Sequence, residues 1–242
     1  MGKRWTNEPP YPRSREEADA YCARFVQAMR SHLGDRLVCV LLCGSWARGE
    51  ARPPHSDLDL TVVVDTVDAV ATEALGRAWT QGTLAPANIY GADEIPAMAR
   101  DGWEMYTVNA RVLWGDNPFP LPTRTEYAED VARLAESVAR TGRTLMLYGW
   151  LTSEERFSLG EYLVGKTVPW ALRYLVAFRT GTCPKTEADL RQSLAELPES
   201  GLLERLRRLT ASDSPEQYAA VGRQLSCFAH DWLQEVAPSR PR

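Results

Sequence analysis

Two apolar runs joined by a short polar connection constrain this chain more than any other feature. The first, LVCVLLC from Leu37 to Cys43, has no polar position, and the second is LDLTVVV over residues 58–64. A half-exposed strand alternates apolar and polar residues, because successive side chains point to opposite faces. LVCVLLC lacks that alternation, so it predicts a strand covered on both faces. Gly44 ends it with a turn, and a polar, proline-containing stretch leads to the second strand at residue 58.

The segments around these strands are helical by period and by their caps. Ser14 with Glu17 three residues on reads as a capping box, and Ala18, Tyr21, Cys22, Phe25, Val26, Met29 and Leu33 keep a 3.6-residue period until Gly34 stops the helix. Further on, the pattern predicts a helix over residues 68–81, a strand over 84–90, a short helix over 93–100, and one or two strands over 103–114. Strands alternating with helices predict a sheet domain, and the three prolines of GDNPFPLPTRT mark a linker after it. Beyond residue 126 strand signals vanish, and helices are expected over 126–150, 154–179, 186–196, 200–210 and 215–236. The fold class is therefore α+β: a small sheet domain over residues 1–116, then an all-α helical bundle over 124–242.

Composition narrows the function. The 242 residues suffice for a real core without disulfide or metal staples, and a net charge of −4 argues against a protein that holds a nucleic-acid backbone. No run approaches the length of a membrane span, and the start, MGKRWTNEPPYPRSREE, has no apolar stretch of signal-peptide kind, so no membrane partner and a cytoplasmic location are expected. Cys22, Cys39, Cys43, Cys183 and Cys227 are odd in number and form no CxxC pair, which fits a reducing compartment, and Cys39 and Cys43, four apart on a strand, read as buried thiols. Lys166 is the only lysine between Lys3 and Lys185, and it sits among the apolar residues Val164, Val168 and Trp170. A lysine so placed needs a partner.

Chemistry concentrates in CGSWARGEARPPHSDLDL, residues 43–60. Gly44 and Ser45 stand where a buried strand ends and a short helix is expected, a junction that offers free backbone N–H groups to an anion. Asp57 and Asp59 are two apart at the start of a strand, so their carboxylates share a face while Leu58 and Leu60 point to the core. Two such carboxylates repel unless a cation lies between them, and Mg²⁺ takes carboxylate oxygens together with substrate phosphates. Each piece alone is a common turn or a solvated strand start. The combination within one short stretch places a phosphate cradle beside a metal-binding pair.

Gly44-Ser45, then Gly49, then Ser56-Asp57-Leu58-Asp59-Leu60 resembles the signature of the DNA polymerase β-like nucleotidyltransferase superfamily, and GSWARGEARPPHSDLDL looks most like its minimal nucleotidyltransferases and small antibiotic-modifying adenylyltransferases. The resemblance is strong over residues 38–64 and weaker through NIYGADEIP and RVLWGD to about residue 116. In the helical remainder it extends only to length and helix content. It implies a mixed-sheet nucleotidyltransferase domain and a substrate-binding bundle, moving a nucleoside monophosphate, AMP foremost, from ATP or another nucleoside triphosphate to a hydroxyl of a small molecule such as an antibiotic. Asp57 and Asp59 are then both catalytic and metal ligands for Mg²⁺. Gly44, Ser45, Arg48 and Ser56 are the phosphate-binding set. A homodimer is compatible with this reading.

The chain departs from the family pattern in one place. A third carboxylate is usual on the strand after the intervening helix, and NIYGADEIP puts Asn88 there. An amide offers oxygen without charge and cannot act as a base. Candidates for the missing base are Glu104, in the last sheet segment, and Glu161, in the bundle with Lys166 on the triphosphate; Glu161 and Lys166 would place the active site between the domains, whereas Asp93, Glu94 or Glu104 beside the aspartates would make the sheet domain self-sufficient. His32, His55 and His230 lack ligand spacing, although His55 adjoins Ser56-Asp57, and the bundle aromatics Tyr148, Trp150, Phe157, Tyr162, Trp170, Tyr174 and Phe178 have the spacing of core residues. Two alternatives stand beside the transferase: a catalytically weakened nucleotide-binding or regulatory protein, and an antitoxin-like protein adenylyltransferase.

Overall fold

A computed structural model of the chain describes residues 12–53, 56–80, 87–97, 105–147 and 167–197, together with Ser214 and scattered helical positions between 216 and 231. The chain divides into two compact units, Met1–Leu121 and Pro122–Arg242.

The first unit is a four-stranded mixed sheet with helices on one face. Its strands are β1 (Leu37–Cys43), β2 (Asp59–Val64), β3 (Ala87–Gly91) and β4 (Arg111–Gly115), in the order β3-β2-β1-β4. β1 runs antiparallel to β2 and to β4, while β2 and β3 are parallel. Helices α1 (Arg15–Leu33) and α3 (Ala69–Thr80) belong to the core that takes Leu37, Val40 and Leu42 of β1 and Leu58, Leu60, Val62 and Val64 of β2. The opposite face buries Cys39, Leu41 and Cys43 with Val63, Ile95, Tyr106 and Phe119. β1 thus has cover on both faces, which is why its sequence carries no polar position. Each such side chain contributes roughly 1.5–3 kcal/mol on full burial.

α1 starts where the Ser14 hydroxyl accepts the Glu17 N–H, and it stops at Gly34, whose N–H returns to the Arg30 carbonyl. The helix expected over 93–100 is a single 3₁₀ turn, Ile95–Ala97, within the described residues. Pro96 brings no N–H to continue a helix, and the Glu94 carboxylate folds back onto the Gly91 N–H at 3.1 Å, closing the turn locally. Where a strand was expected from 103, the described residues 105–109 form turns. There the Asn117 amide donates to the Tyr106 carbonyl at 2.6 Å, Tyr106 stacks on Phe119, and its hydroxyl lies 3.0 Å from that of Tyr90. Aromatic packing and a side-chain bond replace ladder pairing, and only Arg111–Gly115 joins the sheet.

The described part of the second unit is helical: α4 (Arg124–Leu147), α5 (Val168–Thr180) and α6 (Glu187–Ala195). α6 opens on a capping box between Thr186 and Asp189, and α5 ends at Gly181. α4 and α5 pack together, with Tyr127 and Tyr174 at 6.1 Å between ring centroids and the Arg124 Nε donating to the Phe178 carbonyl at 3.0 Å. Tyr174 and Phe178 are core residues and Trp170 is half-buried. Tyr148, Trp150, Phe157 and Tyr162, with the helix expected over 200–210, lie outside the described residues. No helix among the described residues is long and apolar enough to cross a membrane.

Candidate active site

The site is built from the crossing between β1 and β2. β1 ends extended at Cys43, and the chain turns at Gly44 (φ +65°) into the short helix α2 (Gly44–Arg48), which closes at Gly49 (φ +77°). The Glu50 N–H returns to the Ser45 carbonyl at 2.9 Å. Ser45 is the second residue of this helix and half-buried. β2 then begins at Asp59, which pairs with Cys43, so the first residue of β2 stands directly beside the residue preceding the turn.

That pairing brings the Asp59 carboxylate onto Gly44. A Cβ at position 44 would lie 2.9 Å from Asp59 Cγ and closer still to Oδ2, so the turn accepts Asp59 only because Gly44 has no side chain. The positive φ independently favours glycine there. Residues 57–60 alternate half-buried and buried, with Leu58 3% and Leu60 1% exposed: the two leucines enter one core, and Asp57 and Asp59 are the half-buried positions between and before them. The Asp59 side belongs to the face away from α1 and α3, with Cys43 and Thr61, whose side chains meet at 3.8 Å. Burial pushes the Cys43 thiol up to about 12, and the Asp59 charge adds in the same direction. Cys43 is a neutral wall of the site.

The remaining motif residues are engaged with one another. Arg48 Nε donates to Glu50 Oε2 at 2.8 Å, with side chains only 13% and 24% exposed, so the structure places Arg48 in an ion pair across the Gly49 turn. The Ser56 Oγ accepts the Arg52 N–H at 2.8 Å, the Ser56 N–H donates to the Arg52 carbonyl at 3.1 Å, and the Ser56 carbonyl accepts Trp46 Nε1–H at 3.1 Å. Neither Glu50 nor Trp46 stood out in the sequence. The available signals were an acidic residue two beyond Arg48 and a large aromatic inside a Gly-Ser helix that leaves little room for one.

Asn88 stands opposite Thr61 in the parallel β2–β3 pair, on the Asp59 face and exposed, so the amide occupies the strand position at which a third carboxylate was sought. Asp93 and Glu94 are not substitutes. Thr66, just past the far end of β2, donates to Asp93 at 3.4 Å, and β2 from Asp59 to Val64 spans about 16 Å at about 3.3 Å per residue. Among the described residues no group of three His, Cys, Asp or Glu is arranged to hold a metal. Glu104, Glu161, Lys166 and His55 lie outside the described residues. A cavity of about 500 Å³, lined by Asp19, Cys22, Val26, Arg111 and Val112, opens between α1 and β4. It lies on the helix-covered side, so it is not the aspartate site.

No family model matches this chain, and no curated protein matches it. Among solved structures it is similar to the spectinomycin adenyltransferase AAD(9) from Enterococcus faecialis, crystallised with ATP and spectinomycin, at a TM-score of 0.50 and 11% identity, covering 88% of this chain and 99% of that one. The chain shares with that protein an α+β fold in which a mixed sheet is followed by helices.

Proposed function

We propose that this protein is a nucleotidyltransferase that moves a nucleoside monophosphate, AMP foremost, from a triphosphate to a hydroxyl of a small molecule. The observation that carries this reading is the seat of Asp59 on Gly44: a carboxylate held against the turn that would receive the phosphates, at a glycine with no room for a side chain. Asp57 and Asp59 are the metal ligands and Gly44-Ser45 the phosphate cradle. Hard carboxylate oxygens on one side of a strand suit Mg²⁺, which would neutralise triphosphate charge and lower the pKa of the attacking hydroxyl. The chain's own part is positioning. The turn's N–H groups and Ser45 orient the triphosphate, while the buried leucines keep both carboxylates turned toward it. In the reaction the acceptor oxygen bonds to the α-phosphorus, the bond to the bridging oxygen breaks, and pyrophosphate leaves. Glu161 is the base proposed to take the hydroxyl proton, with Lys166 on the triphosphate.

ATP and spectinomycin, the ligands of the solved neighbour, are the first pair to try. The test is incubation with each triphosphate, Mg²⁺ and a panel of aminocyclitols, aminoglycosides, lincosamides and candidate proteins, followed by mass spectrometry. A nucleotidyl mass gain on a small molecule, lost in Asp57→Asn, is the expected result; gain on a protein alone, or none, overturns the small-molecule reading. Asn88 on the Asp59 face supports a second reading, a nucleotide-binding regulator. Binding of a triphosphate without pyrophosphate release distinguishes it.

A further inference from the structure

We infer that Trp46 is a positioning residue, the latch that holds Asp57 in register with the Gly44 turn; this rests on the nucleotidyltransferase reading above. The residue sits in α2, two positions after the glycine that seats Asp59, and is only 3% exposed within the core that also holds Leu58 and Leu60. From there its indole Nε1–H reaches out of the core to the carbonyl of Ser56, at 3.1 Å. The residue after that carbonyl is Asp57.

The consequence is mechanical. Asp57 precedes β2, which begins only at Asp59, so no ladder bond fixes it. Two anchors flank it instead: the Leu58 side chain, buried in the core, and the Ser56 carbonyl, pinned to the indole. Ser56 is also bonded to Arg52, by the Arg52 N–H to Ser56 Oγ and the Ser56 N–H to the Arg52 carbonyl. Those two bonds join residues four apart in the chain and do not reach the sheet. The Trp46 bond joins Ser56 to α2, and through α2 to the turn that holds Asp59. A tryptophan suits this task because it combines a large apolar body for the core with one donor at its rim. The spacing of the two carboxylates is thereby set from one side by Gly44 and from the other by Trp46. Groups that orient metal ligands influence affinity without touching the metal.

The experiment measures Mn²⁺ binding by electron paramagnetic resonance, in the presence of a non-hydrolysable ATP analogue, for the full chain. Trp46→Phe keeps an aromatic ring in the core, though a smaller one, and removes the donor. As a second variant, benzothienylalanine at position 46 replaces only the N–H by sulfur and leaves the core shape intact. Leu33→Val trims the same core elsewhere and controls for stability, and Asp59→Asn identifies the site. Both Trp46 variants are expected to weaken Mn²⁺ by about tenfold or more while Leu33→Val does not. Mn²⁺ affinity within about twofold of wild type in either folded Trp46 variant, with Asp59→Asn defective, overturns the latch and leaves the site reading standing. A wild-type chain that binds no Mn²⁺ with the nucleotide overturns the site reading and the latch together.

Discussion

Replacing Gly44 by alanine tests the geometry of the site without any assumption about its ligand. Two independent terms oppose the substitution. Gly44 has φ +65°, and an L-residue held in that region is destabilised by about 1–2 kcal/mol. The new Cβ would stand 2.9 Å from Asp59 Cγ and nearer to Oδ2, well inside the roughly 3.5–4.0 Å of ordinary contact, so Asp59 must leave its rotamer at a cost of about 0.5–1.5 kcal/mol. Together they amount to about 1.5–3.5 kcal/mol, or a fall in Tm of about 3–14 °C for a chain of this length. Denaturant unfolding of wild type, Gly44→Ala, Asp59→Ala and the double variant separates the terms. In the Asp59→Ala background Gly44→Ala should cost only the backbone term, giving a coupling of about 0.5–1.5 kcal/mol. A Gly44→Ala protein within about 0.5 kcal/mol of wild type, or equal costs in the two backgrounds, would refute the close approach of Asp59 to the turn.

Three further outcomes are expected. Ser45→Ala should weaken triphosphate binding by about 1–3 kcal/mol in calorimetry, the loss of a hydrogen bond to a charged group, and unchanged affinity removes Ser45 from the cradle. Burial raises the thiols of Cys22 to about 11 and of Cys39 and Cys43 to about 12, whereas Cys227 is exposed, so alkylation at pH 8 should label Cys227 first and these three on the order of a hundredfold or more slowly; equal labelling in the folded protein contradicts the burial. The Arg111 guanidinium beside Asp19 holds that carboxyl below the usual carboxylate range. A depressed folded value stabilises above the unfolded pKa of about 3.9 and is lost as pH falls through the folded one, so the Tm gap between wild type and Asp19→Asn should be constant from about pH 7 to 5 and shrink below about pH 4. A gap that widens on acidification contradicts the pairing.

The parts of the structure legible in the sequence are those where one physical cause dominates. Burial on two faces removed alternation from LVCVLLC, and a cap at each end with a 3.6-residue period fixed α1, so both stand where their patterns put them. The Tyr90–Tyr106–Phe119 cluster was not legible, because apolar residues near 103–110 look the same whether they pair in a ladder or pack as a lid, and tertiary contacts decided it. In the site, the alternation of Asp57, Leu58, Asp59 and Leu60 was legible by itself as far as the leucines go, since both are buried in one core. The seat of Asp59 on Gly44 depends on the Cys43–Asp59 register, a contact between strands that no local pattern encodes. The same holds for Arg48: its residue type suggested phosphate, but Glu50 lies across a turn whose closure only the fold displays.

The most direct test is calorimetric titration of a non-hydrolysable ATP analogue into wild type, Asp57→Asn and Asp59→Asn, each with and without Mg²⁺. If Asp57, Asp59 and the Gly44–Ser45 turn form one nucleotide–metal site, wild type should bind the analogue only with the metal present, and each variant should lose at least about tenfold in affinity while keeping its unfolding transition. Binding that is indifferent to Mg²⁺, or metal-dependent binding undiminished in both folded variants, would contradict it.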